Sequence, residues 1–316
     1  MHIKLTTRLL AATALATSVL TAAAPVTAAG AVTGFQAGTG QNILFHSDRG
    51  GDNELYYVKP GGSVQQLTDN NAQDEDPAWK PDGSAFVFRR YTAGVAAQLY
   101  RMTMPNKMVT QLTNNPNLVY DQPMYSPDGT KIVFKSQDAS RATCIGVLTV
   151  ATGAQTNLVC ADVNQRQSVE LPVWSPDGTQ IMYTLFGGSI DRYTYKLATG
   201  TSTLLIPGAF AGVWSPDMTK IAFSKLPVLA NDHEQTFLCN ADGTNPVQIT
   251  NAGPDGTRST RPDAWYPDGS KLLVMTFAAP DFSPELQSLN LSDFSRQPIG
   301  QHVSATDDFA TPGAIN

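Results

Sequence analysis

The residues best suited to chemistry in this chain are carboxylates, and they recur at matching places. Asp74, Glu75 and Asp76 precede Pro77, Asp121 precedes Gln122-Pro123, Glu170 precedes Leu171-Pro172, and Asp307-Asp308 come shortly before the end. Arg258 and Arg261 hold the corresponding place in a later segment. If a fold gathers these segments around one opening, Asp74, Asp76, Asp121, Glu170 and Asp308 form an acidic mouth with a basic sector at Arg258 and Arg261. Such a mouth suits a cationic or mixed-charge ligand, or a hard cation such as Ca²⁺ held by oxygens. Solvated charges that cap strand ends would give the same pattern, because surface loops are polar whether or not they bind anything.

Other catalytic chemistry finds little support. His46, His233 and His302 are the histidines outside the first forty residues. His46-Ser47-Asp48 holds three triad residue types, but successive strand residues point to opposite faces and do not converge. Asp232-His233-Glu234 lacks any regular ligand spacing. Gly-x-Ser-x-Gly elbows, phosphate-cradling loops and paired-cysteine zinc patterns are absent from the sequence. No catalytic residue is therefore assigned and no cofactor is expected, with Ca²⁺ at the mouth as the exception the carboxylates allow. Carboxylates facing each other across a channel could still work as acid and base.

The elements that must position these residues announce themselves by repetition. Trp79-Lys80-Pro81-Asp82-Gly83 returns as Tyr125-Ser126-Pro127-Asp128-Gly129, Trp174-Ser175-Pro176-Asp177-Gly178, Trp214-Ser215-Pro216-Asp217-Met218 and Trp265-Tyr266-Pro267-Asp268-Gly269. Pro presets φ, Asp bonds its own backbone and Gly accepts φ > 0, so each copy reads as a tight corner between strands. The aromatic ends one strand and is placed to pack between neighbouring repeats. The corner prolines lie 40 to 51 residues apart, the range of four-stranded propeller blades. Strands ending Gln66-Leu67-Thr68, Gln111-Leu112-Thr113 and Gln248-Ile249-Thr250 close their units alike. Five complete units plus a three-stranded start predict an all-β, six-bladed propeller, with the C-terminal strand from Asp308 to Ile315 completing the first blade and closing the ring. The long connections then share one face, where recognition is expected: 68–76, 89–97, 160–170, 225–235, 250–261 and 301–308.

The N-terminus carries Lys4 and Arg8, an apolar run from Leu9 to Leu20 and small residues at Val26-Thr27-Ala28-Ala29. This is the pattern of a cleaved secretory signal over 1–29, followed by a linker over 30–40 and the propeller over 41–316. The apolar run is shorter than a spanning helix needs, and no later stretch is long enough either. Without Lys4 and Arg8, 19 basic residues face 27 acidic ones, a formal charge of −8 that argues against a nucleic-acid partner. Cys144 and Cys160 lie equally far from the turn at Thr152 in an apparent hairpin, opposite each other and ready for a disulfide in an oxidising compartment. Cys239 sits in an apolar strand pattern and reads as a buried structural thiol.

The spaced corners, the Leu-Thr endings and Ser47-Asp48-Arg49-Gly50 resemble the TolB-like six-bladed propellers, a WD-repeat-like class, over about residues 41 to 316. The family's namesake is a periplasmic protein of a cell-envelope complex that binds a peptidoglycan-associated lipoprotein through its propeller. The resemblance departs in one respect, since no room precedes Gln41 for the namesake's N-terminal α/β domain. It implies a periplasmic or secreted protein, a monomer, that binds an envelope or extracellular protein through its long-loop face. The alternative is a carbohydrate-active lyase or hydrolase with carboxylates in the channel.

Overall fold

Each repeated corner folds as a tight reversal between antiparallel strands, for the reasons its residues carry. The fifth residue donates its N–H to the carbonyl of the second, as in Gly129 to Ser126 and Gly178 to Ser175, both 2.8 Å. The aspartate Oδ1 accepts the N–H two residues on, at 3.0 Å in all five copies: Ser84, Thr130, Thr179, Thr219 and Ser270. At Asp82 partial burial works against ionisation, but hydrogen bonds from Lys80 and Ser84 outweigh it and hold the carboxyl at about 2. The last corner residue takes φ of 69°, 68°, 68° and 70° at Gly83, Gly129, Gly178 and Gly269, and Met218 takes 58° in the same role. A side chain there costs about 1 kcal/mol against glycine. Met218→Gly is therefore expected to raise stability by about that amount in urea unfolding; a loss of stability would mean that the Met218 side chain contributes more packing than the backbone loses in strain.

The computed structural model describes residues 43–49, 51–58, 63–225, 233–251, 258–278 and 283–299. Its strands form six antiparallel sheets in chain order. The first blade holds β1 (Ile43–Ser47), β2 (Glu54–Val58) and β3 (Val64–Gln66). The second holds β4 (Gln73–Trp79), β5 (Ala85–Tyr91), β6 (Gln98–Thr103) and β7 (Met108–Gln111). The third holds β8 (Leu118–Tyr125), β9 (Lys131–Asp138), β10 (Thr143–Thr149) and β11 (Gln155–Cys160). The fourth holds β12 (Ser168–Trp174), β13 (Gln180–Phe186), β14 (Ile190–Lys196) and β15 (Thr201–Pro207). The fifth holds β16 (Gly212–Trp214), β17 (Lys220–Lys225), β18 (Gln235–Asn240) and β19 (Val247–Gln248). The sixth holds β20 (Arg258–Trp265), β21 (Lys271–Ala278), β22 (Ser283–Asn290) and β23 (Arg296–Pro298). This is a six-bladed propeller, nearly all β.

A separate apolar core fills each junction between blades. Trp79 packs with Leu44, Leu55 and Leu67 of the first blade, and Trp174 with Val133, Ile145 and Val147 of the third. The ring is continuous, because Ile43, Phe45 and Tyr56 of the first blade share a core with Ala264, Leu273 and Met275 of the sixth. The signal and linker, the proposed closing strand and Asp308 lie outside the described residues. The Leu-Thr endings have a scaffold role: Thr68, Thr113 and Thr250 each accept a backbone N–H of the strand next to the outermost, from Leu55, Leu99 and Thr236, at 2.8 to 2.9 Å. Cys144 pairs with Cys160 across β10 and β11, and their sulfurs are bonded. Cys239 is free and buried.

Candidate functional site

The innermost strands β4, β8, β12, β16 and β20 surround a central channel. Three of them carry a bulge at the residue before proline, where the register shifts between Glu75 and Ala78, Asp121 and Met124, and Glu170 and Val173. The pre-proline residues Asp76, Gln122 and Leu171 sit at φ of 52°, 50° and 53°, a conformation that non-glycine residues seldom adopt. A bulge of this kind bends the strand and re-aims the side chains around it. A relay of hydrogen bonds holds this strained turn from blade to blade: Asp76 donates its N–H to His46 Nδ1 at 3.3 Å, Gln122 its N–H to Asp76 Oδ2 at 3.4 Å, and Leu171 its N–H to Gln122 Oε1 at 2.8 Å. Arg192 continues the band, giving Nη1 to the Leu171 carbonyl at 3.0 Å and Nη2 to the Gly212 carbonyl at 2.9 Å.

These walls enclose a cavity of about 280 Å³ to which all six blades contribute, among them His46, Asp76, Asp121, Leu171, Gly212 and Arg261. Its lining comes from the middle of the innermost strands, with Arg89 and Arg192 reaching in from β5 and β14. The predicted site residues other than Asp308 sit within innermost strands, whereas the sequence places 68–76, 160–170 and 250–261 in connections. Period-two alternation fails at the bulges, which hides the strand starts.

The structure brings Asp76, Asp121 and Arg261 together at the cavity. Glu170 joins them through Gln122 Nε2, 3.5 Å away. Asp74 points elsewhere: it is fully buried and held by Arg90 in two bonds of 2.6 Å and by Asn70 at 2.9 Å. Arg258 begins β20 and lies close enough to Arg296 to push that guanidinium's pKa down, after burial.

The second strands supply cations that the sequence reading missed. Glu75 faces Arg89 and Asp121 faces Lys135 across the β4–β5 and β8–β9 pairs. Arg89 binds Glu75 and reaches Asp121 at 3.7 Å, while Lys135 reaches Asp121 at 3.7 Å and Glu170 at 2.5 Å. Each cation thus bridges the carboxylate of its own blade and that of the next, so the channel wall alternates in sign. Burial alone would raise the Asp121 carboxyl, but Asp76, Arg89 and Lys135 hold it below the usual range. Burial, then Arg89, pushes the His46 imidazole down to about 3, so it is neutral and its Nδ1 can accept. Among the described residues no group of three or more His, Cys, Asp or Glu is arranged to hold a metal ion, and no helix is long and apolar enough to cross a membrane. The signal that could have found Arg89 and Lys135 is their place directly after the strand aromatic, Phe88-Arg89 and Phe134-Lys135, which is also the place of His46 after Phe45.

Comparison with known proteins agrees with this architecture. The chain is 43% identical over 56 residues to a Protein TolB homolog of Chlorobium luteolum, a stretch covering 17% of this chain and 13% of that protein. TolB from Acinetobacter baumannii superposes with a TM-score of 0.65 at 16% identity, covering 81% of this chain and 62% of that one. A putative TolB from Agrobacterium tumefaciens gives 0.64 at 18% identity, covering 86% and 92%. This chain therefore spans less than two thirds of the first two relatives' own lengths, and the low identities of the two structures speak for the fold. The family described as the TolB beta propeller domain matches residues 15–192, more than half of the 316. With six blades, shared junction cores and that match, the chain belongs to the TolB beta propeller family.

Proposed function

We propose that this protein is an exported recognition propeller that holds a segment of an envelope or extracellular protein at its channel mouth. The observation that carries the reading is the mixed-charge cavity of about 280 Å³ in the channel, to which all six blades contribute. Its carboxylates and cations are set on rigid strands and tied across blade junctions, which pre-organises them for a ligand that offers both signs of charge. The TolB relatives support an envelope location and a protein partner by analogy. The test is retention of a partner from envelope extract by the purified protein, beside a variant with Asp76→Asn and Asp121→Asn whose unfolding is checked first. A specific partner bound by the unaltered protein and released by the folded variant supports the reading. Equal retention by both overturns the placement of the site.

The same pair of carboxylates favours one rival. Asp76 Oδ2 and Asp121 Oδ1 both accept the Gln122 N–H, at 3.4 and 3.0 Å, so they converge as an acid and base could. Turnover of a polysaccharide or lactone that is lost in the same double variant would replace the recognition reading with a lyase or hydrolase.

A further inference from the structure

The two sides of the channel are charged differently. Around the second, third and fourth blades every cation named above has a carboxylate partner. Arg192, which rises from β14 into the channel wall, is the exception: it is fully buried, and among the described residues no carboxylate pairs with it. Its Nη1 goes to the Leu171 carbonyl and to Thr184 Oγ1 at 2.8 Å, its Nη2 to the Gly212 carbonyl, and its Nε has no hydrogen-bond partner. A guanidinium that cannot readily lose its proton is costly to bury without a counter-ion.

A single glycine stands between its Nε and the cavity. Gly212 lines the same cavity, and its φ lies outside the left-handed region, so backbone geometry does not require glycine there. A Cβ at 212 would stand 3.6 Å from Arg192 Nε, and 3.3 and 3.4 Å from the Phe223 Cβ and the Ala222 carbonyl, and so would thicken the wall between Nε and the cavity. Arg261 lines the cavity too, with its charge spread over the Phe210 and Phe277 rings at 5.9 and 5.5 Å and Asp263 3.8 Å away. Asp263 and Glu234 stand near Arg261, so Arg192 is the charge on this side that no carboxylate among the described residues pairs with.

We propose that Arg192 and Arg261 form a carboxylate-binding subsite in the channel, filled by an acidic side chain or the free C-terminus of the bound segment. The carboxylate supplies the counter-charge that Arg192 lacks and accepts from its Nε, while the alternating ion pairs opposite receive the ligand's positive groups. The partner's being a protein rests on the recognition reading above; the subsite itself does not.

Glutarate and its uncharged diamide, glutaramide, are the probes, added at equal ionic strength to the intact protein and followed by thermal unfolding and by calorimetric titration. Glutarate is expected to raise the melting temperature and glutaramide to leave it unchanged. Arg192→Met is expected to weaken glutarate about tenfold or more, the loss of a charge-assisted bond. Gly212→Ala keeps the arginine but puts a methyl group between Nε and the cavity, and is also expected to weaken glutarate about tenfold. A purely structural Arg192 predicts no preference of the unaltered protein for glutarate over glutaramide. Equal responses to the two probes, or full glutarate affinity in the alanine variant, overturns the proposal. A selective glutarate response in a protein that captures no partner would keep the subsite and overturn the protein-recognition reading.

Discussion

Replacing Arg90 with methionine is expected to cost about 3–5 kcal/mol, because it strands the Asp74 carboxylate in the interior without its counter-charge. Asp74 has no exposed surface, and the guanidinium grips both of its oxygens at 2.6 Å. Arg90 also lies over the Phe88 and Tyr100 rings, at 5.3 and 5.1 Å, so its own position is fixed. Urea unfolding at neutral pH measures the loss. Adding Asp74→Asn to the Arg90→Met background is expected to recover much of it, since the uncompensated charge is then gone and Asn70 can still bond the amide. A single-variant cost below about 1 kcal/mol would show that water or a proton satisfies Asp74 in place of Arg90. The expected result makes Asp74 part of the frame of the second blade, whereas Asp76, two residues on, faces the channel.

Trp174→Ala is expected to be about as damaging, at about 3–5 kcal/mol. The indole is buried in the core between the third and fourth blades, and its Nε1 donates to the Met124 carbonyl of the preceding innermost strand at 3.2 Å. Truncation opens a cavity at the junction and removes a bond between blades. Trp265 makes the equivalent bond to Val213 at 3.1 Å but is only partly buried, so Trp265→Ala should cost less. Thermal unfolding of the two variants side by side checks both the size and the order; equal losses would mean that the interblade bond, rather than burial, sets the cost.

The architecture was legible because its signals are local. A Pro-Asp-Gly corner needs only three residues to specify itself, and the threonines that close Leu67-Thr68 and Leu112-Thr113 bond the strand beside them. The opposed cysteines were legible for the same reason, through equal distance from a turn. The site was legible only in part. Asp76, Asp121 and Arg261 were found, but the partners that decide their charge, Arg89 and Lys135, arrive from the second strands, and which face of a strand meets the channel depends on bulges that shift the register by one residue. Asp74 and Asp76 looked equivalent in sequence and diverge for that reason. Arg192 stands in the middle of an ordinary alternating strand, Ile190–Lys196, and nothing local distinguishes a guanidinium turned into the wall from one turned into solvent.

Among the described residues, the backbone-to-backbone bonds between blades also have a direction. Backbone N–H groups of the innermost strands reach back to the blade before: Asp74 to Asn53, Tyr120 to Ala97, Thr260 to Glu234, and the channel relay from Asp76, Gln122 and Leu171. The Trp174 and Trp265 indoles do likewise. For a chain delivered from its N-terminus, each new blade therefore meets acceptors that its predecessor has already set in place, and it can dock as it emerges. The exception is the seam where Phe45 and Tyr56 meet Leu273 and Met275. Half of that surface is made first and its other half last, so the first blade carries an open apolar flank for as long as the remaining blades take to arrive.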